Sequence, residues 1–457
     1  MQIILIMSTS LADKYRVAAP RYTSYPTVPY WDQEKFDLEV YKDRLVAANL
    51  ENEAGLSLYV HLPFCEDLCT YCGCNTRITK NHGVEIPYIQ AVLKEWRQYC
   101  DLLGGRPLIR EIHLGGGTPT FFSPQNLQLL IKGITDQALI HAEAVFSFEG
   151  HPKNTTAAHL VALYELGFKR VSLGIQDFDP QVQAIINRIQ SYQSVEETSR
   201  LARQVGYDSI NYDLIYGLPL QSMAGLSKTL KDVVRLKPDR IAFYSYAHVP
   251  WVKPGQRRYT EAHLPSAELK RDLYEMGRAR LIAAGYAEIG MDHFILPSDG
   301  LFKAAAQGQL HRNFMGYTEQ VSKVMIGLGV SSISDFWDGF AQNVKTVEEY
   351  LSIVNAGDFP VVKGHLLDEM DLYFRQHILN IMCKGQTSWD LQDYLFPLMS
   401  QSLDRLKPMV ADGLVALKPG LLEVTTTGKR YLRNICMAFD VRLWVAQPAS
   451  QLFSMAD

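Results

Sequence analysis

Residues 59–76 read YVHLPFCEDLCTYCGCNT and carry four of the chain's seven cysteines: Cys65, Cys69, Cys72 and Cys74. The first three have C-x3-C-x2-C spacing, which lets one loop deliver three thiolates to a compact centre. Thiolates suit zinc or iron–sulfur clusters, so spacing and context must choose. A structural zinc site wants a fourth ligand, normally from a second Cys or His pair far along the chain. No such pair exists, because Cys100, Cys383 and Cys436 stand alone. Three ligands on a four-iron cluster leave one iron open to a small molecule. A zinc knuckle or a reduced cysteine-rich loop is the alternative.

Upstream of the loop, LSLYVHLP (56–63) is a β-rich run, and it starts a rhythm. Further strand candidates are REIHLGGG (110–117), AVFSFEGHP (144–152), KRVSLGIQDF (169–178), SINYDLIYGLP (209–219) and DRIAFYSYAHVP (239–250), with YAEIGMDHF (286–294) as a possible addition. Helical patterns separate them. One lies near 87–103, and one is opened by Ser123-Pro124. One follows Asn154 and stops at Gly167, and one starts from a Ser194/Glu197 capping box and ends at Gly206. Alternating strands and helices imply right-handed βαβ units and a parallel sheet. Six such units predict an α/β fold with a partial or full (β/α) barrel; a doubly wound open sheet is the alternative. In a barrel the active site lies at the C-terminal ends of the strands, where the polar clusters of this chain are expected.

The flanks differ from this centre. Pro20 and the two prolines of RYTSYPTVPYW (21–31) disfavour a continuous helix, so residues 1–50 read as an ordered arm or a linker. After about residue 360 come two helical stretches, 368–382 and 388–413, then a hairpin turning at Pro419-Gly420. This predicts a mainly helical, winged-helix-like accessory domain, and the expected division is arm 1–50, barrel 51–355 and accessory domain 356–457. The accessory segment has no basic stripe, and the net charge is −4, so nucleic-acid binding is not expected. MQIILIM (1–7) is too short for a signal peptide or a membrane span. Clustered free cysteines fit a reducing compartment, hence the cytoplasm.

Several side chains at the expected strand ends carry chemistry. LGGGTPT (114–120) permits close backbone approach and offers free amides to a carboxylate or phosphate, but it lacks the lysine of a phosphate-binding loop. Glu149, Gln176 and Asp213 sit near the ends of successive strands, and Arg188 could pair with a carboxylate there. Capping or surface roles are the bland readings of each. His311-Arg312-Asn313-Phe314 suits a multi-carboxylate ligand or plain packing. Asp292-His293 reads as an acid/base pair or a buried hydrogen-bonded one.

Together these motifs resemble the oxygen-independent coproporphyrinogen III oxidase (dehydrogenase) family of the radical S-adenosylmethionine superfamily. The match runs from RYTSYPT through YVHLPFC…CTYCGCN, HLGGGTPT, LGIQDF, NYDLIYGLP, YAHVP, GMDHF, LHRNFMGYT and GLGVSSIS to RNICMAFD (433–440), nearly the whole chain. The resemblance implies a partial (β/α)6 barrel in which Cys65, Cys69 and Cys72 bind a [4Fe–4S] cluster, with Cys74 a further family cysteine. It implies that S-adenosylmethionine binds the open iron and touches Tyr59, Gly116, Glu149 and Ile333, with Tyr71 beside the adenine. A second S-adenosylmethionine is matched by Gly117, Thr118, Gln176, Arg188, Asp213 and Ala247. The implied reaction uses a 5′-deoxyadenosyl radical to convert two propionates of coproporphyrinogen III to vinyls, giving protoporphyrinogen IX for heme. A low-potential electron donor of flavodoxin or ferredoxin type and a monomeric state are also implied. The alternatives are a heme-binding or heme-transfer paralogue, and a radical enzyme acting on another tetrapyrrole. The chain departs from the family pattern at His151, where the family has Asp, at Ile189, where it tends to have Glu, and around Ile378–Thr387.

Overall fold

A strand covered on both faces must be apolar along nearly its whole length. The computed structural model, which describes residues 11–446 and 452–456 except 321, 391, 394, 395 and 397, shows this at once in β1 (Leu56–Leu62), where six of seven residues are buried. The run at 1–7 lies outside the described residues. Five more strands follow in chain order: β2 (Leu108–Gly116), β3 (Leu139–Gly150), β4 (Phe168–Gln176), β5 (Ser209–Tyr216) and β6 (Arg240–Ser245). Each pairs in parallel with its predecessor. The helices between them are α1 (Glu85–Leu102), α2 (Pro124–Thr135), α3 (Ala157–Glu165), α4 (Tyr192–Val205), α5 (Met223–Leu236) and, after β6, α6 (Ala267–Ala283).

Two observations decide between barrel and doubly wound sheet. The strand order is sequential, without the reversal a doubly wound sheet needs. Consecutive helices also pack side by side from α1 to α6, so they cover one face of the sheet. The sheet is therefore a barrel wall. Its ends are extended by β7 (Ala287–Ile289) and β8 (His293–Ile295) beside β6, and by β9 (Val324–Leu328), β10 (Ile333–Phe336), β11 (Gly339–Asn343) and β12 (Val361–Leu366) beside β1. Of these only β9 is parallel to its neighbour β1; the others run antiparallel. No ladder joins β12 to β7 among the described residues, so the barrel is partial.

Two helix starts differ from the pattern reading. The cap of α4 is Ser191, whose side chain accepts from Ser194 N–H, so the helix begins a turn earlier than the Ser194 box. The cap of α3 is Thr156, reciprocated by His159, rather than Asn154.

A buried carboxyl ties the wall together. Glu95 on α1 is fully buried and accepts from Gly329 N–H (2.8 Å), Tyr350 O–H (2.6 Å) and Asn343 Nδ2 (2.6 Å). Its neighbour Tyr88 donates to the His61 carbonyl (2.7 Å) and accepts from Val330 N–H (2.9 Å), linking the end of β1 to the turn after β9. Burial raises the Glu95 carboxyl from 4.5 to about 7. The folded protein thus keeps a proton that the unfolded chain has released, and unfolding sheds a proton between those values. Stability is expected to fall as pH rises from about 4.5 to about 7, by at most roughly 3 kcal/mol from this group. Denaturant melts across that range check it; Glu95→Gln should remove this part of the slope.

One compact unit spans Trp31–Asp368, and the described residues on either side of it form the other. This division falls at residues 30 and 368, beside the sequence-based boundaries at 50 and 355. The second unit holds α7 (Glu369–Lys384), α8 (Met399–Ala411), α9 (Leu432–Met437) and a small sheet of β13 (Gln386–Ser388), β14 (Val415–Lys418) and β15 (Leu421–Val424), in the order β13-β15-β14. The expected hairpin is β14–β15. The helical pattern from Ser388 becomes a helix only at Met399. RNICM is a structural knot here. Arg433 donates to the carbonyls of Pro20 (3.1 Å), Met455 (3.0 Å), Ser454 (2.9 Å) and Ala19, while Asn434 donates to Tyr15 O (2.8 Å). Tyr22 O–H donates to Asp440 (3.0 Å). Among the described residues no helix is long and apolar enough to cross a membrane.

Candidate active site

The cysteine loop hangs from a two-residue neck. Phe64–Cys65 pairs in parallel with Arg77–Ile78, reinforced by Arg77 N–H to Pro63 O (2.8 Å) and Thr79 N–H to Cys65 O (2.9 Å). The glycine loop after β2 packs against this neck. Gly117 N–H donates to Leu62 O (2.8 Å) and Thr118 N–H to Phe64 O (3.0 Å). A Cβ on Gly117 would lie 2.5 Å from Pro63 O, so close approach requires glycine there. The two motifs therefore form one wall, and the Cys65 sulfur lies 3.3 Å from Thr118 Oγ1.

That wall bounds a cavity of about 450 Å³ at the C-terminal ends of the strands. Cys65, Cys69 and Cys72 line it together with Tyr71, Gly116, Gly117, Thr118, Glu149, Gln176, Arg188 and Asp213. Tyr59, Ala247 and Ile333 are not on its wall. Tyr59 stacks on His113 (6.0 Å between centroids) behind Glu149, and its hydroxyl donates to His61 Nδ1 (3.1 Å). Ala247 is held beside Tyr71 by Gln256, whose Nε2 donates to both carbonyls (3.2 and 3.1 Å). Ile333 lies against Gly327, the β9 residue paired with Tyr59.

The electrostatics divide the cavity. Arg188 bridges Cys69 Sγ (3.5 Å) and Gly174 O (2.6 Å), and its buried Nε has no protein partner. Cys72 accepts from Cys74 N–H (3.4 Å). Hydrogen bonding to Cys74, with help from Lys253 and Arg188, pulls the Cys72 thiol down to about 6, whereas burial lifts Cys65 to about 11. Facing them, Glu149 accepts from Gly116 N–H (3.3 Å), with His113 Nε2 at 3.5 Å. Asp213 accepts from Ser172 (2.9 Å) and Asn211 (2.9 Å); burial, then the nearby Glu149, raises it to about 6.

Three residues of this site, His113, Ser172 and Gln256, carry no sequence signal of their own, and a fourth, His151, stands out only as a departure from the family pattern. His151 Nδ1 accepts Lys153 N–H (3.1 Å), which puts its proton on Nε2. Burial, with Arg188 and Lys153 near, holds its pKa at about 2, so the ring is a neutral donor on the cavity wall.

A second, polar chamber of about 220 Å³ adjoins the first, sharing Glu149, Ser172, Asp213 and Tyr244. It reaches the N-terminal ends of the strands. There Arg240 pairs with Asp299 (2.6 Å) and Arg170 with Glu319 (2.5 Å). The hairpin His311–Asn313/Gly316–Thr318 lies at this end, Thr318 donating to Glu111 (3.3 Å). This corrects the expectation that every polar cluster sits at the C-terminal ends. LHRNFMGYT belongs to the floor of the barrel, and His293 lines the lower chamber, not the upper.

Among the described residues no three His, Cys, Asp or Glu side chains converge as a single-ion site. The three thiols lie along one cavity wall instead, an arrangement that fits a polynuclear cluster with separate iron corners.

The Radical SAM superfamily pattern matches residues 59–233. Over 464 residues the chain is 39% identical to an oxygen-independent coproporphyrinogen III oxidase of Synechocystis, covering 98% of each chain. The Escherichia coli protein of that name is 37% identical over 443 residues, 95% of each. A solved structure of coproporphyrinogen III oxidase from Escherichia coli, described as a radical SAM enzyme, superposes with a TM-score of 0.87 at 37% identity, covering 92% of this chain and 97% of that one. The chain belongs to the oxygen-independent coproporphyrinogen III oxidase family of the radical SAM superfamily.

Proposed function

We propose that this protein oxidatively decarboxylates two propionate side chains of coproporphyrinogen III to vinyl groups, yielding protoporphyrinogen IX in heme biosynthesis. The observation that carries the reading is the single cavity on which three thiols, the glycine loop, Glu149 and Asp213 meet. Family membership brings a [4Fe–4S] cluster and S-adenosylmethionine, which when bound supply a 5′-deoxyadenosyl radical for hydrogen abstraction.

Cys65, Cys69 and Cys72 would hold the cluster. The glycine-loop amides expected from the sequence to be free are engaged, by Glu149, Leu62 O and Phe64 O. The loop therefore contributes close approach, and the Glu149 carboxylate offers the complementary partner to an amino-acid moiety, with Tyr59 and Ile333 behind it. Tyr71 offers an aromatic face. Gly117, Thr118, Gln176, Arg188, Asp213 and Ala247 are our candidates for contacts to a second S-adenosylmethionine. A low-potential flavodoxin- or ferredoxin-type donor, a monomeric state and a cytoplasmic location complete the proposal; clustered free thiols persist in such a compartment.

Asp213→Ala should weaken S-adenosylmethionine binding roughly tenfold, the loss of one charge-assisted hydrogen bond, while the cluster spectrum stays that of the parent. Equilibrium dialysis with reconstituted protein measures it, and an unaltered affinity removes Asp213 from the site. The function itself is tested by an anaerobic assay of reconstituted protein with reductant, S-adenosylmethionine and coproporphyrinogen III. Protoporphyrinogen IX with 5′-deoxyadenosine and carbon dioxide is the expected outcome. Tight heme binding without cofactor cleavage would defeat the proposal.

A further inference from the structure

Exposed large apolar side chains scattered singly need no explanation, but a group of them at the mouth of a site marks a contact surface. Around the upper cavity five come together: Leu68 (42% exposed), Ile78 (40%), Ile189 (66%), Trp251 (55%) and Val252 (62%). Leu68, Ile78 and Ile189 line the cavity itself. Trp251 and Val252 are on the segment that braces the cysteine loop. Lys253 Nζ donates to Cys74 O (3.1 Å), Gln256 to Tyr71 O (3.1 Å), and a Cβ on Gly255 would touch Leu68 at 3.5 Å. Asn187 Nδ2 donates to Leu68 O (2.7 Å), which draws the Ile189 turn onto the same rim. These apolar groups therefore sit on mutually hydrogen-bonded backbone.

The cavity is too small to make the rim superfluous. Sites that enclose a single drug-sized ligand run to about 300–1,000 Å³, and this one offers about 450 Å³. A cluster, a nucleoside sulfonium and a whole tetrapyrrole cannot share that space. Charge around the rim also suits a ring edged with carboxylates: Arg257 and Arg258 are exposed on the same segment as Trp251, with Lys253 beside them. Across the mouth Lys153 is exposed, paired with Asp67 at 3.5 Å.

Resting on the functional reading above, we propose that this apolar rim seats the tetrapyrrole macrocycle outside the cavity, with one propionate reaching in. An apolar seat is non-directional, so the same macrocycle can be lifted, turned and reseated to present its second propionate. Such a seat would serve two successive decarboxylations without a second set of catalytic groups.

The test uses cluster-reconstituted protein with coproporphyrin III as a stable binding probe, and coproporphyrinogen III for kinetics with a chemical reductant. Val252→Asp and Trp251→Ala should each raise the probe Kd and the substrate KM about tenfold, as expected for an apolar anchor. Trp251→Phe should recover most of the loss. S-adenosylmethionine affinity and the cluster's electron paramagnetic resonance signal should stay those of the parent. Parental KM in all variants would overturn the seat while leaving the decarboxylase reading intact. A loss seen only with a protein electron donor would also overturn it and assign the rim to donor docking. Absence of coproporphyrinogen turnover in the parent protein would instead be a failure of the functional reading itself.

Discussion

Cys69→Ala is expected to abolish both the cluster and every downstream activity. Three thiolates leave one iron corner open, and removing one of them takes a second corner from the protein's control. Of the remaining pair, burial pushes the Cys65 thiol up while hydrogen bonding to Cys74 pulls Cys72 down, so the two are not equivalent donors. Cys69 is also the sulfur that faces the Arg188 guanidinium at 3.5 Å, a positive neighbour that stabilises a bound thiolate. Iron and acid-labile sulfide should fall to background after reconstitution, and S-adenosylmethionine cleavage with them. The fold should persist, because the residue is half-buried on a loop whose neck is closed by other residues. Circular dichroism separates the two effects. Full turnover by a cluster-free variant would end the radical interpretation.

Arg433→Ala should be the most destabilising single change in the second unit. The guanidinium is only 8% exposed and spreads its donors over four main-chain carbonyls from two segments, Ala19 and Pro20 on one side and Ser454 and Met455 on the other. Truncation strips this donor from the Ala19, Pro20 and Met455 carbonyls, while Ser454 O keeps only the Ala19 N–H at 3.1 Å. Breaking a buried charged network of this kind costs about 3–5 kcal/mol. The loss should appear as faster hydrogen exchange and new proteolytic cleavage within residues 15–22. Arg433→Lys should restore only part of it, since a single ammonium cannot span a fork of four carbonyls. Parental exchange rates in Arg433→Ala would show that the arm is held elsewhere.

Both residues were visible in the sequence, but only one announced its role. Cysteine spacing is local chemistry: one loop, three thiols, and a glycine run one βα unit away. The strand rhythm was equally legible because burial on both faces leaves continuous apolar runs. Long-range pairing was not. Arg433 stands in a motif whose purpose depends on residues more than 400 positions away. LHRNFMGYT reads as a ligand-binding segment by composition, yet Glu111 and the Arg240–Asp299 and Arg170–Glu319 pairs mark its place at the floor, and no local pattern encodes those partners. Gln256 follows a Lys-Pro-Gly turn that looks like ordinary loop, although two of its hydrogen bonds link Tyr71 to Ala247. The Ser191 cap was hidden by a better-looking box three residues on. What places it is Gln190, anchored to the Ile175 carbonyl and to Gln183 just before the helix begins.

The neck between Phe64–Cys65 and Arg77–Ile78 has an implication for life in air. It is closed by main-chain hydrogen bonds alone, independent of any iron. Oxygen that strips the metal would empty the socket without unravelling it, and the glycine loop would still brace it from behind. Loss of a bound cluster would then leave the neck folded, and supplying iron and sulfide to the reduced thiols should be enough to rebuild the cluster.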